Sequence, residues 1–190
     1  MASELIVQTL KGPTSGANAN KVIIPSGQTL DMSAGTFTPS SGQIIQLVNR
    51  YSDGYQEISS TSYTDANSMS LAITPTSASS SIFILINMST TLIRASNARI
   101  GGKAKILRDS TTVVESSNFQ RIGAGTDNIG ENYLTVSGCL TALDSPATTS
   151  EITYKLQLAA ETTSNDGRIR INDSSPRTRL SNITLMEIAG

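Results

Sequence analysis

A 190-residue chain without a single histidine has few routes to catalysis. Imidazole is the usual general base, proton relay and zinc ligand, so its absence removes Ser-His-Asp hydrolysis and the common zinc sites together. One thiol remains. Cys139 lies mid-run in "VSGCLTA", where a small apolar thiol is expected in the core rather than as a nucleophile. Carboxylates could still form a glycosidase pair or a calcium cage. Asp53, Asp109 and Asp166 fall in expected turns, Asp65 and Asp144 in loops, and Glu115, Glu151 and Glu187 along or beside strands, so turn chemistry and solvation account for them. The run "TDAN" at residues 64–67 is the one calcium candidate. With no Trp and 4% aromatic residues, the stacking platform of a glycosidase or lectin is thin. The expectation is a protein that is not an enzyme, with no catalytic residue, no cofactor and no metal.

Two further stretches carry chemistry-bearing residues. "GAGTDNIG" at residues 123–130 has the glycine density of a phosphate loop but lacks the Gly-Lys-Ser/Thr ending and a following helix, so it reads as a long pliable loop. "RIRINDSSPRTR" gathers Arg168, Arg170, Arg177 and Arg179. Alternation puts Arg168 and Arg170 on one strand face, with Asp166 and Asp173 close in sequence, which points to a solvated face or to ion pairs between subunits. The net charge of -1 supplies no field toward nucleic acid or an anionic membrane, and neither partner is expected. No apolar run approaches a bilayer span, and "MASELIVQTLKGP" lacks the pattern of a signal peptide, so synthesis and folding in the cytoplasm are expected. The sequons at Asn87, Asn172 and Asn182 then have no glycosylation to receive.

The elements that must hold these residues are strands. Apolar residues make up 37% and charged residues 15% of the chain, and Ser with Thr fill roughly a quarter of it. Period-two alternation recurs while no window shows helical spacing. In "EITYKLQLAA", Ile152, Tyr154, Leu156, Leu158 and Ala160 share one face, and Thr153, Lys155 and Gln157 the other. Comparable strands are expected over residues 43–51, 68–73, 81–90, 103–108, 112–116, 133–142, 168–171 and 179–188. The run "SIFILINM" is apolar on both faces, as a central strand would be. Asp53-Gly54 and Asp166-Gly167 are expected as tight hairpin turns, with "RDST" at residues 108–111 as a third. Eight to ten short strands with regular turns read as an all-β fold, an antiparallel β-sandwich of jelly-roll type.

Residues 1–42 differ from the rest. Two apolar bursts, Leu5-Ile6-Val7 and Val22-Ile23-Ile24, stand apart among Gly, Pro and Ser, and cannot bury themselves within so short a segment. This is an extended arm, followed by a β-sandwich head over residues 43–190. Its bursts need a surface outside the arm, supplied by other copies around an axis or by a groove on another protein.

"SELIVQTLKGPTSGANANKVIIPSGQTLD", and "NKVIIPSGQTLD" within it most specifically, resembles the N-terminal segment of virion structural proteins from tailed phages of marine and cyanobacterial hosts. The alternating strands that follow are similar in pattern to the small β-sandwich heads of phage fibres and capsid decorations. The resemblance implies a homotrimer in the virion, with the arms on the major capsid protein or another virion protein and the heads outward. It implies a capsid decoration, cement or short head-fibre role, with a tail fibre or receptor-binding tip as the alternative and a polysaccharide hydrolase or lectin as a third reading. On this view Leu5, Ile6, Val7, Val22, Ile23, Ile24, Pro25 and Leu30 form the virion or inter-subunit contact. Phe119, Arg121, Asp127 and Asn128 mark an exposed loop that could meet a neighbour or a host surface receptor.

Overall fold

The computed structural model describes residues 11–19, 21–29, 38–95, 99–122, 132–173 and 180–190, with the backbone alone at Ile122 and Asn132. The chain divides into two compact units, Met1–Thr38 and Pro39–Gly190. Residues 39–42, read with the arm from sequence, belong to the second unit. The Gly42 N–H donates to the Ala189 carbonyl at 2.8 Å, and the Ala189 N–H to the Gln43 carbonyl at 2.8 Å.

Among its described residues the first unit contains no strand. Two turns follow one another, Ala19 N–H to Gly16 O and Lys21 N–H to Asn18 O, both 3.1 Å. Gly16, which leads into the first of them, sits at φ 86°, a left-handed conformation open to glycine without a Cβ penalty. Gly12 lies so close to the Lys21 backbone that a Cβ there would collide with it. This part of the arm is therefore a closed loop and not an extended run.

The second unit is an antiparallel β-sandwich. Its strands are β1 (Ile44–Ser52), β2 (Gln56–Ile58), β3 (Thr64–Ile73), β4 (Ser81–Arg94), β5 (Ile100–Arg108), β6 (Thr111–Ile122), β7 (Asn132–Asp144), β8 (Ile152–Ala160), β9 (Arg168–Ile171) and β10 (Ser181–Ile188). One sheet runs β3-β8-β5-β6. The other runs β1-β10-β4-β9-β2, with β7 also paired to β4. Because β7 occupies one edge of β4 from Ile82 to Arg94, β10 and β9 must share the opposite edge end to end. β10 takes Ser81 to Asn87 and β9 takes Thr90 to Ile93.

The core lies between the sheets. Ile82, Ile84, Ile86, Met88 and Leu92 of β4 meet Tyr154, Leu156 and Leu158 of β8 and Ala104 and Ile106 of β5, all essentially without solvent contact. Alternation along β4 and β8 selects these residues, and each Ile or Leu so buried contributes about 1.5–3 kcal/mol. β4, apolar on both faces in sequence, is indeed the central strand.

Of the three expected tight hairpins, one forms. Asp109-Ser110 joins β5 to β6 with Arg108 opposite Thr111, and Asp109 takes φ 51°. Asp53-Gly54 does not close a hairpin, because β1 pairs with β10 and β2 with β9. Asp166-Gly167 does not either. There a 3-10 turn, Ser164–Asp166, carries the chain from β8 in one sheet to β9 in the other, with positive φ at Asn165 and Asp166 while Gly167 is at φ -64°. Glycine at 167 answers a close approach, since a Cβ would run into the Thr162 carbonyl. Cys139, expected in the core, lies on the exposed side of β7.

Candidate attachment and contact surfaces

The arm residues named from sequence are only partly within view. Leu5, Ile6, Val7 and Leu30 lie outside the described residues. Val22, Ile23 and Ile24 are 50%, 54% and 41% exposed and belong to no strand. Pro25 opens a turn closed by the Gln28 N–H to its carbonyl at 3.1 Å, with Gly27 at φ 79°. The turn holds three adjacent apolar side chains just before it in solvent.

The loop expected as an exposed contact divides differently. Asp127 and Asn128 lie outside the described residues. Phe119, near the end of β6, turns inward and packs on the core cluster, where a Cβ on Gly102 would meet its ring at 2.9 Å. Arg121 stays at the surface and pairs with Glu161 at 3.2 Å, which Arg99 also approaches at 3.8 Å. Arg177 and Arg179 are likewise outside the described residues, but Arg168 and Arg170 form ion pairs within the chain. Arg170 Nε reaches Glu57 at 2.7 Å and its Nη1 reaches Asp173 at 3.4 Å, while Arg168 pairs with Asp166 and Glu57. These are contacts of β9 with β2 across the pair and with the residues that flank β9 on either side.

The calcium candidate is already committed. Asp65 lies in β3, where Lys155 Nζ donates to it at 2.9 Å and Gln157 Nε2 at 2.6 Å. Lys155, with Gln157 beside it, holds its carboxyl below the usual range. Asp144, at the end of β7, accepts from Arg108 at 2.6 Å and from the buried Tyr154 hydroxyl at 2.7 Å. Burial of the Tyr154 phenol, with Asp144 beside it, pushes its pKa well up.

One surface was not foreseen from sequence. On the outer side of the β7-β4-β10-β1 region, Leu143, Phe83, Met186 and Leu47 stand opposite one another in a continuous row across four strands. Leu143 is 62% and Leu47 56% exposed, with Phe83 and Met186 half-buried between them. Adjacent rows hold Asn49, Thr184, Leu85 and Thr141, then Tyr51, Asn182, Asn87 and Cys139. The outward positions of these strands over this face carry no charged side chain. The outer side of the other sheet contrasts with it, carrying Lys155 paired to Asp65 and Lys105 paired to Glu115. Each outward set was present in the sequence as an alternation, but the register that aligns them comes from pairings distant in the chain.

Inside the sandwich edge, Glu187 is fully buried. Its Oε1 accepts from the Thr76 N–H at 2.7 Å and the Thr76 hydroxyl at 2.8 Å, and its Oε2 from Gln46 Nε2 at 3.1 Å. Burial alone would push this carboxyl up, but the bonds from Thr76 and Gln46, with the Ser80 hydroxyl close by, outweigh it and hold the pKa below the ordinary 4.5. A depressed folded pKa means stability that is present above the unfolded value and lost as pH falls through the folded one. Asp65 acts in the same direction. The urea midpoint of the head is therefore expected to hold at neutral pH and fall below about pH 4.5, with a shallower fall in Glu187→Gln. An unchanged midpoint down to about pH 3 would show that neither carboxylate differs between the folded and unfolded states.

No family model matches the sequence, and no curated protein matches it. Among solved structures the chain is similar to the infectious bursal disease virus VP2 subviral particle, at 14% identity and a TM-score of 0.30, over 94% of this chain and 45% of that one. It is also similar to infectious bursal disease virus, Gt strain, at 14% identity and a TM-score of 0.27, over 87% of this chain and 41% of that one. The chain spans less than half the length of either. The sandwich assignment rests on its own strand pairings.

Proposed function

We propose that the chain is a non-enzymatic virion structural protein of a tailed phage, a homotrimer that decorates or cements the capsid or stands on it as a short head fibre. In this reading the first unit anchors and the second is the outward head. The observation that carries it is the arm: Val22, Ile23 and Ile24 stand together outside any strand and are 41–54% exposed. Three contiguous exposed β-branched residues are a docking site awaiting its surface. The head supports the same reading by its self-sufficiency and by side-chain chemistry committed to holding strands together. Asp65, Asp144, Glu57 and Glu161 each face a basic partner. The resemblance of "NKVIIPSGQTLD" to phage virion proteins supplies the kind of particle.

The test is position on the particle. Imaging of purified virions by electron cryomicroscopy should show the head as three-lobed density on the capsid, at threefold or interhexamer positions, with the arm running into the shell. Density confined to the tail tip would overturn the capsid assignment in favour of a receptor-binding tip. Absence from the particle would overturn the virion role itself.

A further inference from the structure

We infer that the uncharged outer face of the β7-β4-β10-β1 sheet is the contact between heads, with β7 of one copy lying beside β1 of the next around a threefold axis. The inference rests on the homotrimer part of the proposed function and adds which surface forms the trimer. Three observations lead to it.

The first is strand direction. β4 is antiparallel to both β7 and β10, and β10 is antiparallel to β1, so β7 and β1 run in opposite directions at the two ends of one four-stranded region. Rotation about an axis along the strands preserves those directions. A neighbour's β1 therefore meets β7 antiparallel, and the ring can close after three copies.

Edge chemistry is the second. Natural sheets blunt a free edge with charge, proline or a bulge. β7 has none of these between Tyr133 and Leu143, pairs with β4 in unbroken register over thirteen residues, and has no other strand partner among the described residues. The third is the face itself. Its other side is packed against the second sheet, so only this outer side, with the row Leu143, Phe83, Met186 and Leu47 as its apolar part, can turn toward the axis. A second copy brings an equally uncharged surface over these four strands, while the charges on the same outer side, Arg168 and Arg170 opposite Ile93 and Thr91, lie on β9 and are already paired with Glu57. Apolar centres flanked by Asn and Thr, depleted of charge, are the composition of a homo-oligomer contact.

The native thiol makes this testable. Cys139 and Tyr51 end one cross-strand row, separated by three strand spacings of about 4.8 Å, too far for a disulfide within one chain. Across the inferred contact, Cys139 instead faces the neighbour's β1. Full-length Leu47→Cys, Asn49→Cys and Tyr51→Cys, each oxidised with copper phenanthroline, should give a covalent trimer on a non-reducing gel for at least one position. Thr112→Cys, on β6, should give none. In parallel, Leu143→Glu should sediment as a monomer, with association weakened at least about 100-fold and an unchanged circular dichroism spectrum. A wild-type monomer would overturn both the trimer and this contact. A wild-type trimer that survives Leu143→Glu and gives no β1 cross-link would overturn this contact alone, as it would if the arm or another surface held the trimer.

Discussion

Replacing Asn172 by alanine lowers the unfolding free energy of the head by about 4 kcal/mol, a large part of the 5–15 kcal/mol available to a typical domain. Asn172 is fully buried and sits where β9 ends, beside the start of β10 along the shared edge of β4. Its Nδ2 donates to the Ser52 carbonyl at 3.0 Å, with the Gly54 carbonyl at 3.3 Å, and its Oδ1 accepts from the Ser181 hydroxyl at 2.6 Å. The backbone N–H reaches the Ser89 carbonyl at 2.9 Å, and the Ser89 N–H in turn donates to Ser181 Oγ at 3.0 Å. One residue therefore ties the end of the β1-β10 ladder, where Ser52 stands opposite Ser181, to the stretch of β4 at Ser89 that lies between its pairings with β10 and β9. Alanine leaves the Ser52 carbonyl and the Ser181 hydroxyl without these bonds in a dry site, at about 1–3 kcal/mol each. A smaller backbone part comes from φ 53°, which asparagine tolerates better than alanine. Asn172→Gly removes that backbone part and should recover about 1 kcal/mol of the loss. Urea denaturation of the three proteins checks this, and a loss under about 1 kcal/mol in Asn172→Ala would show that water replaces the amide.

Ile23→Asp abolishes attachment to the particle while the melting temperature of the head changes by less than about 2 °C. Under the proposed function Ile23 is covered by another chain on the virion. A carboxylate there loses its hydration and gains no partner, at several kcal/mol for each chain and three times over in a trimer. In the free protein the same side chain is exposed and outside any strand, so the head does not depend on it. Occupancy on purified particles and calorimetry of the free protein give the two readouts. A destabilised head with normal occupancy would mean that Val22–Ile24 serves the sandwich instead.

Nearly every strand was legible because alternation is local. β8 and the inner side of β4 follow their sequence pattern residue by residue, and β2 escaped notice because three residues cannot show a period. Turns were less legible. Asp-Gly specifies a local conformation but not whether the strands on either side are partners. At Asp53-Gly54 and Asp166-Gly167 the flanking strands belong to different places in the fold. Phe119 and Cys139 exchanged their expected sides for the same reason. The space above Gly102 draws the Phe119 ring inward, and the register of β7 on β4 turns the thiol out. The uncharged face needed three registers at once, each joining residues far apart in the chain.

The placement of β10 also governs when the head can form during synthesis. β1 opens the sandwich in sequence, yet its partner in the sheet is the last strand, and β10 also fills half of one edge of the central β4. Until residues 181–188 have left the ribosome, the apolar inner side of β4 has only part of its sheet beside it, and β1 has no described strand partner at all. The nascent head therefore waits, exposed, for residues 181–188, and folding dominated by such distant pairings belongs to the millisecond-to-second range. Truncation inside β10 accordingly removes the step that closes the sheet, so nascent chains stalled short of residue 181 should remain protease-sensitive along their whole length.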